Sequence, residues 1–505
     1  MNAKKVLVLG TNDYSTNELV TQLADKHKSK NNGLLHSTES SISVDGFYHT
    51  TLVDLSFGEI LTLSKSFNLV ILLDQPKEQW SHWKILLSTY KLMCEIEKNG
   101  ITDTSFRKNQ NIKSFEFYEN FVKDNKSFCI FPWITDHEKN GDMYLCARSN
   151  EPVKKKKSLI SWKNDPEYNK IRNKMLSGEK IPEQCSTCYY YEDHGIESYR
   201  QFETKEWIAK LDIKNLEDLS NIKSPYYYEY FTSNVCNLMC RSCNKESSHL
   251  IAREAKKFNL YPVEKIKTSK ANPTSIDIDL LTPDHRVYFH GGEPTIMPDV
   301  AEFLQSCIDK KITDFDLAFC TNGQYISKSF LDMINQFPKV NFSMSIDGYG
   351  KINDYWRHGS DWNTVIKNTK LLESYGHSIH FNTVPGIYNV TNLHYLYEFI
   401  DEEFPLSDIY LQINYVKTQS IYNHPIPELV IESMEKCKKT NAYYADGKSN
   451  KTTIDSIYDH YSSNPTFNKD DLAEFFRTND KLDEIRGKYL KDYIPELEAC
   501  RKFLD

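Results

Sequence analysis

Between Tyr227 and about residue 416 the chain repeats one pattern six times: a short apolar and aromatic run, a loop, then an amphipathic helical stretch. The runs lie at 226–232, 285–290, 315–320, 340–346, 377–384 and 408–416. Helical patterns fill the gaps, at Ser248 to Phe258, Val300 to Lys310, Ser327 to Gln336, Trp362 to Tyr375 and Asn392 to Phe404. A period near two marks the runs as strands, and a period near 3.6 marks the stretches between them as helices. A strand, a helix and a second strand of one sheet join as a right-handed crossover, which makes the strands parallel. Enough such units curl into a full or partial barrel with its chemistry at the C-terminal ends of the strands. The expected fold class is therefore α/β, with a partial (β/α)6 barrel at 225–416.

The flanks read differently. Residues 1–115 begin with a strand-like run, Lys5 to Leu9, then Gly10-Thr11-Asn12-Asp13, a helical pattern through Leu19, Val20 and Leu23, and a second strand at Asn68 to Leu73. This is a Rossmann-like α/β start, but the single Gly10 lacks the close-approach glycines of a dinucleotide site, so a structural or substrate-docking role is expected. Periodicity weakens over 116–224, where four cysteines appear, and a bound metal would explain how such a region holds together. Residues 417–505 are polar and helical, with Pro425-Ile426-Pro427-Glu428 opening one helix and Asp470 to Leu497 suggesting more; they are expected to cap the barrel.

At 505 residues the chain is too long for one ordinary core. Its 39% hydrophobic and 26% charged residues are those of a folded globular protein. A formal net charge of −8, from 62 basic and 70 acidic residues, gives no general attraction to nucleic acid or anionic lipid, and the run Lys154 to Lys157 reads as a solvated loop. Two lysines and the short run Val6 to Leu9 make no signal-peptide core, and no apolar run approaches the roughly 20 residues that span a bilayer, so a cytoplasmic protein is expected. Thiols are kept reduced there, and twelve cysteines then point to metal binding or catalysis rather than disulfides.

Their spacing carries the chemistry. Cys236, Cys240 and Cys243 form C-x3-C-x2-C on a loop between the first strand and its helix. Three close thiolates can bind three irons of a cubane and leave the fourth open, whereas four cysteines complete a cluster. A zinc site completed by His249, or merely buried thiols, are the alternatives. Cys129, Cys146, Cys185 and Cys188 form a second set, C-x16-C-x38-C-x2-C, whose four thiolates suit a complete [4Fe-4S] cluster or a structural zinc ion. Cys94, Cys307, Cys320, Cys437 and Cys500 have no partner spacing and read as core fillers. Cys320, at a strand's C-terminal end, is the exception: its thiol could donate a hydrogen atom to a substrate radical.

After the second strand comes His290-Gly291-Gly292-Glu293-Pro294, and this turn together with the three-cysteine loop resembles the radical SAM (S-adenosylmethionine) superfamily over roughly 226–416. The resemblance implies that Gly291, Gly292, Glu293 and Pro294 hold the amino group of the SAM methionine. It also implies that polar groups after the third and fourth strands face SAM: Asn322 in Thr321-Asn322-Gly323, then Ser343, Ser345 and Asp347. Arg357 matches a family arginine near the SAM carboxylate, for which a guanidinium fork is suited. Many members carry an aromatic before the third cysteine, where this chain has Ser242. The second cysteine set, with Trp162, Arg172, Met175, Gly178-Glu179, Glu192, Gly195 and Ser198, resembles the twitch or SPASM cysteine region, which in the better-known members follows the barrel rather than preceding it.

The resemblance implies a [4Fe-4S] cluster on Cys236, Cys240 and Cys243, SAM, and an auxiliary [4Fe-4S] cluster on the second set, with zinc as its alternative. It further implies an iron-sulfur oxidoreductase or maturase that reductively cleaves SAM to a 5′-deoxyadenosyl radical and takes a hydrogen atom from a peptide or small-molecule substrate. The reducing electron would come from a donor such as flavodoxin or ferredoxin, and the extra N-terminal domain favours a docked partner. A non-catalytic iron-sulfur or zinc scaffold that senses redox state is the competing expectation. The reading requires the three-cysteine loop to lie beside the Gly291-Gly292 turn.

Overall fold

The computed structural model describes residues 112–139, 141–154, 162–263, 276–338, 340–405, 407–412, 417–444, 450–463 and 465–504, and six strands before them. The expected helix at Leu19 to Leu23, the basic run beyond Lys154 and residues 413–416 lie outside the described residues. Two compact units divide the chain: residues 1–124, 205–218 and 444–447 form one, and the remainder forms the other.

In the first unit the strands β1 (Val6–Gly10), β2 (Ser43–Val44), β3 (Phe47–Thr51), β4 (Leu69–Leu73), β5 (Met93–Lys98) and β6 (Ile101–Ser105) make one sheet in the order β2-β3-β1-β4-β5-β6. Its four central strands are parallel, and β2 and β6 are antiparallel edges. Both sequence-read strands are present, at β1 and β4.

The second unit is built on a sheet of eight strands. β7 (Thr135–Lys139), β8 (Asp142–Tyr144), β9 (Tyr227–Phe231), β11 (Arg286–His290), β12 (Asp316–Thr321), β13 (Val340–Ser345), β15 (Ser378–Thr383) and β16 (Asp408–Leu411) stand in the order β16-β15-β13-β12-β11-β9-β7-β8. The six repeats appear in sequence order and every neighbouring pair among them is parallel. The sheet is open, as a partial barrel requires. Alternation along each strand sets its two faces. Phe289, Phe319 and Phe342 face the helices at 0% exposure and occupy one register row, their rings stacked 5.5 and 5.6 Å apart. Phe303 and Phe330, from the helices that follow, close edge-on upon Phe289 and Phe319 at 5.4 and 5.3 Å. Such aromatic packing buries the largest apolar areas available to side chains. The opposite face is polar, with Glu229, Tyr288, His290, Cys320, Ser343, Ser345, His380 and Asn382 at alternating positions.

Two strands were not legible as such in the sequence. Thr135–Lys139 adds to the barrel's first strand in parallel, and Asp142–Tyr144 returns antiparallel beside it. The cysteine-bearing segment between 116 and 224 therefore supplies part of the barrel sheet. The C-terminal helices include Asn450–Ser462 and Lys469–Arg486, and the second packs Leu472, Phe475 and Phe476 against Tyr355, Trp356 and Tyr388. Among the described residues no helix is long and apolar enough to cross a membrane.

Candidate active site

The three-cysteine loop leaves the end of β9 and is fastened to the end of β11. Thr232 N–H donates to the His290 carbonyl at 2.8 Å, Gly292 N–H to the Ser233 carbonyl at 2.6 Å, and Glu293 N–H to the Val235 carbonyl at 2.9 Å. The glycines are there for this approach. Gly291 has φ +124°, a region that favours glycine, and a Cβ on Gly292 would stand 2.1 Å from the Val235 carbonyl oxygen. The loop's other end pairs as a short strand, β10 (Met239–Cys240), antiparallel to β14 (Arg357–His358), and Arg241 N–H donates to the Trp356 carbonyl at 2.8 Å. The cysteine loop, the glycine turn and Arg357 thus share one place at the C-terminal ends of the strands.

Burial pushes all three thiols up, Cys243 to about 12, and their mutual repulsion adds to the effect on Cys236 and Cys243. Thiols held this way ionise when a positive centre compensates them, as iron does in a cluster. Arg357 supplies part of that charge, with Nη1 3.9 Å from Cys240 Sγ. His249 lies against the loop, its Nδ1 accepting the Cys236 N–H at 3.3 Å. Three soft thiolates on one loop suit a cubane with one open iron. Among the described residues no group of three or more His, Cys, Asp or Glu side chains is gathered as for a single metal ion.

Glu293 is 1% exposed, and its carboxylate is a junction. Oε1 accepts from the Thr321 hydroxyl at 2.7 Å, the Thr295 hydroxyl at 2.8 Å and the Thr295 N–H at 3.2 Å, while Oε2 accepts the Asn322 N–H at 2.8 Å. Burial nevertheless pushes its pKa up against these bonds. Asn322 donates from Nδ2 to Asn237 Oδ1 at 2.7 Å and lies 3.9 Å from Cys236 Sγ, so it belongs to the cluster loop's surroundings. Pro294 opens a 3-10 turn capped by Glu293. Ser345 Oγ stands 3.4 Å from Cys320 Sγ on the polar face.

Asp347 and Arg357 pair with each other, Oδ2 to Nε at 2.8 Å, with Asp347 0% exposed. Neither atom has a well-aligned hydrogen bond, so the contact is an ion pair rather than a hydrogen bond. Asp347 also accepts the Val384 N–H on Oδ1 at 2.8 Å, and its carbonyl accepts Asn389 Nδ2 at 2.8 Å. Sequence reasoning missed Asn237, Arg241, Tyr355, Asn479 and Asp483. Arg241 and Asn237, inside the cysteine loop, could have been flagged by position; Asn479 and Asp483 lie more than 200 residues away and carry no local signal.

The four cysteines of the second set lie within electrostatic reach of one another. Cys129, Cys146 and Cys188 are buried and Cys185 is half-buried. Charge on Cys129, Cys185 and Cys188 is felt at Cys146, and burial pushes all four thiols up. Cys185 and Cys188 sit three apart on the helix Pro182–Asp193, which puts them on one face. Arg200, clamped by Glu192 at 2.6 Å, brings a positive charge felt at Cys129, Cys185 and Cys188. Beyond Cys146, Ala147 N–H donates to Glu229 Oε2 on the polar face of β9 at 2.7 Å.

Solved structures that bear a likeness to the chain include the following three. Native anSMEcpe with bound AdoMet is 16% identical with a TM-score of 0.32, over 42% of this chain and 58% of that one. Streptococcus suis SuiB bound to its precursor peptide SuiA is 16% identical with a TM-score of 0.27, over 52% and 47%. The radical S-adenosylmethionine methyltransferase TsrM from Kitasatospora setae is 8% identical with a TM-score of 0.24, over 81% and 75%. This chain thus spans less than two thirds of the first two. No curated protein matches the sequence. The Radical SAM superfamily model matches residues 230–401, which run from the last residues of β9 into the helix Leu393–Glu403 and contain the three-cysteine loop, the glycine turn and Arg357. The chain carries a radical SAM superfamily domain at residues 230–401.

Proposed function

We propose that this protein is a radical SAM enzyme that binds a [4Fe-4S] cluster on Cys236, Cys240 and Cys243 and SAM beside it, and that it takes a hydrogen atom from a peptide or small-molecule substrate. The observation that carries the reading is the fastening of the three-cysteine loop to the Gly291-Gly292-Glu293 turn, 2.6 Å between Gly292 N and the Ser233 carbonyl. Cluster and SAM, when bound, supply a one-electron cleavage of the sulfonium to a 5′-deoxyadenosyl radical.

The chain's own groups do the holding. Three thiolates offer three ligands and leave one iron corner for a chelating ligand. Glu293, saturated on Oε1 and carrying one N–H on Oε2, keeps acceptor capacity on Oε2 for an ammonium. Arg357 stands between the Asp347 carboxylate and Cys240, suited to a ligand carboxylate arriving at the open corner. The polar inner face, from Glu229 to Asn382, favours a substrate with hydrogen-bonding groups over a bare hydrocarbon.

The second set is proposed to hold an auxiliary [4Fe-4S] cluster, supported by three buried thiols and the half-buried Cys185, with the Arg200 charge felt at three of the four. A flavodoxin or ferredoxin is the proposed electron donor.

Anaerobic reconstitution tests this directly. About eight irons per chain are expected, falling to about four when Cys236, Cys240 and Cys243 become alanine. Dithionite should drive formation of 5′-deoxyadenosine from SAM in the wild type and not in that triple variant. Absence of SAM cleavage by a fully iron-loaded wild type would favour a redox-sensing scaffold, and zinc in place of the second four irons would correct the auxiliary site alone.

A further inference from the structure

Arg241 stands between the second and third cysteines of the loop and is only 5% exposed. Its donors are committed to distant parts of the chain. Nη2 donates to Asp483 Oδ1 at 2.6 Å, Nη1 to Asn479 Oδ1 at 2.9 Å and Nε to the Tyr355 carbonyl at 3.1 Å. The guanidinium also lies 3.9 Å from the centre of the Tyr355 ring. Its own carbonyl accepts Gln419 Nε2 at 3.0 Å.

Asp483 gathers further donors. Tyr355 OH reaches its two oxygens at 2.9 and 3.1 Å, and the Leu490 N–H donates to Oδ2 at 2.7 Å. Asn479 accepts from Tyr388 OH and donates to Tyr355 OH, each at 2.8 Å. One turn further on, Arg486 grips Glu254 with Nε and Nη2 at 2.9 and 2.7 Å. Glu254 belongs to the helix His249–Phe258 that follows the cysteine loop. Asn479, Asp483 and Arg486 are spaced i, i+4, i+7 on Lys469–Arg486, so a single helix face holds both the loop and the helix leaving it.

A short loop that must present three like-charged sulfurs to one cluster has strong reasons to splay. It lacks a core of its own, and the thiolates repel. The glycine turn restrains only its first half, at Ser233 and Val235. Restraint on the second half comes from Arg357 and His358 through β14, and from Arg241 through the C-terminal helix.

We propose that the helix Lys469–Arg486 is part of the cluster site, with Asp483 and Asn479 as positioning residues that hold Arg241, and through it the Cys240–Cys243 turn, in the shape that takes up iron. The proposal rests on the cluster-binding reading given above. Pairing with Asp483 also cancels the Arg241 charge, so loss of the carboxylate leaves a buried cation one residue from Cys240 and two from Cys243. A cluster that still forms there is then easier to reduce.

The test uses the full chain, reconstituted anaerobically, reduced with dithionite and observed by electron paramagnetic resonance with and without SAM. Only a cluster with an open iron gives a signal that SAM shifts, so that signal reports the three-cysteine loop and not the second set. In Asp483→Asn the SAM-shifted signal is expected to fall at least about five-fold per chain, with the remaining population at a more positive midpoint potential, and Asp483→Glu to recover at least about half. Iron on the second cysteine set and an unchanged circular dichroism spectrum report that the variant is folded. If Asp483→Asn does not fold, Asn479→Ala, which removes one bond to Arg241 and no charge, is expected to lower the signal about two- to three-fold. A wild-type signal and potential in the folded variant overturn the clamp. A wild type that takes up iron but shows no SAM-shifted signal overturns the cluster reading itself, which separates the two failures.

Discussion

Asn322 gives its backbone N–H to Glu293 Oε2 at 2.8 Å, so the end of the third repeat's strand is stapled to the end of the second's through a carboxylate. Thr321, the residue before, gives its hydroxyl to Oε1 of the same group at 2.7 Å. Glu293 is therefore a tie between two strand ends as well as a group proposed to face a ligand, and substitution separates these roles. In Glu293→Gln the amide keeps one oxygen, and the NH2 that replaces the other meets either the Asn322 N–H or the Thr donors. A loss of about 1–3 kcal/mol in unfolding free energy is expected without any ligand present, measured by urea denaturation. Unfolding curves that superimpose on the wild type would show that the carboxylate carries no structural load.

The glycine turn makes a sharper demand. A Cβ at residue 292 would stand 2.1 Å from the Val235 carbonyl oxygen and 2.6 Å from the carbon bearing it, and both are backbone atoms that no rotamer change can move aside. Gly292→Ala must push the turn off the cysteine loop. Expected are a stability loss of about 3 kcal/mol or more and a loss of iron from the three-cysteine loop, with iron on the second set kept. Thermal unfolding followed by iron analysis of the same sample would decide it, and a variant with full iron and an unchanged midpoint would contradict the packing argument.

Asp347 and Arg357 form a buried pair, 2.8 Å apart, beside Cys240. Burial pushes the Asp347 carboxyl up while the guanidinium opposes that, and the shared charge is what keeps both ionised. Asp347→Asn leaves Arg357 charged and uncompensated at the cluster loop, which costs about 3–5 kcal/mol for a buried pair broken on one side. The double variant Asp347→Asn, Arg357→Gln should be less destabilised than the sum of the two single changes. Strict additivity in that cycle would mean that the two groups act independently.

The barrel was legible because its signal is local. Phe289 and Phe342 alternate with polar neighbours at period two, the run around Phe319 is short and apolar, the strands are separated by helices at period 3.6, and parallel order follows from the crossover rule. The three cysteines and the glycine turn were legible because each motif is contiguous. Their mutual fastening was expected from a resemblance, and the structure shows the bonds that make it. Strand β7, Thr-Asp-His-Glu-Lys, was not legible: only Thr135 and His137 are buried, and a polar pentapeptide reads as loop until the neighbouring strand β9 is in place. Asp483 and Asn479 were invisible for another reason. On a helix they occupy buried positions that periodicity assigns to apolar residues, and what makes burial tolerable is Arg241, 242 residues from Asp483 along the chain.

Acid should weaken the second unit through its buried histidines, and His424 offers the clearest test because it is remote in sequence from both cysteine sets. It is 1% exposed, its Nδ1 accepts the Ile426 N–H at 3.3 Å, and burial pushes its pKa down to about 4. The unfolded chain binds a proton at this ring below about pH 6.5, while the folded chain declines it until about pH 4. Between those values the unfolded state carries more protons, so stability is full above the unfolded pKa and is lost as pH falls through the window. At about pH 5 the cost approaches 2 kcal/mol relative to about pH 7.5. In His424→Gln this titration is absent. The variant should be less stable than the wild type near neutrality, where the imidazole's packing is lost, and the gap should narrow by about 2 kcal/mol at about pH 5. His137, His358 and His394, also pushed down to about 4, keep a residual acid sensitivity in both proteins and cancel in the difference. Urea unfolding of the pair at the two pH values measures it, and a gap that stays constant would mean that the His424 ring takes up its proton in the folded chain as readily as in the unfolded one.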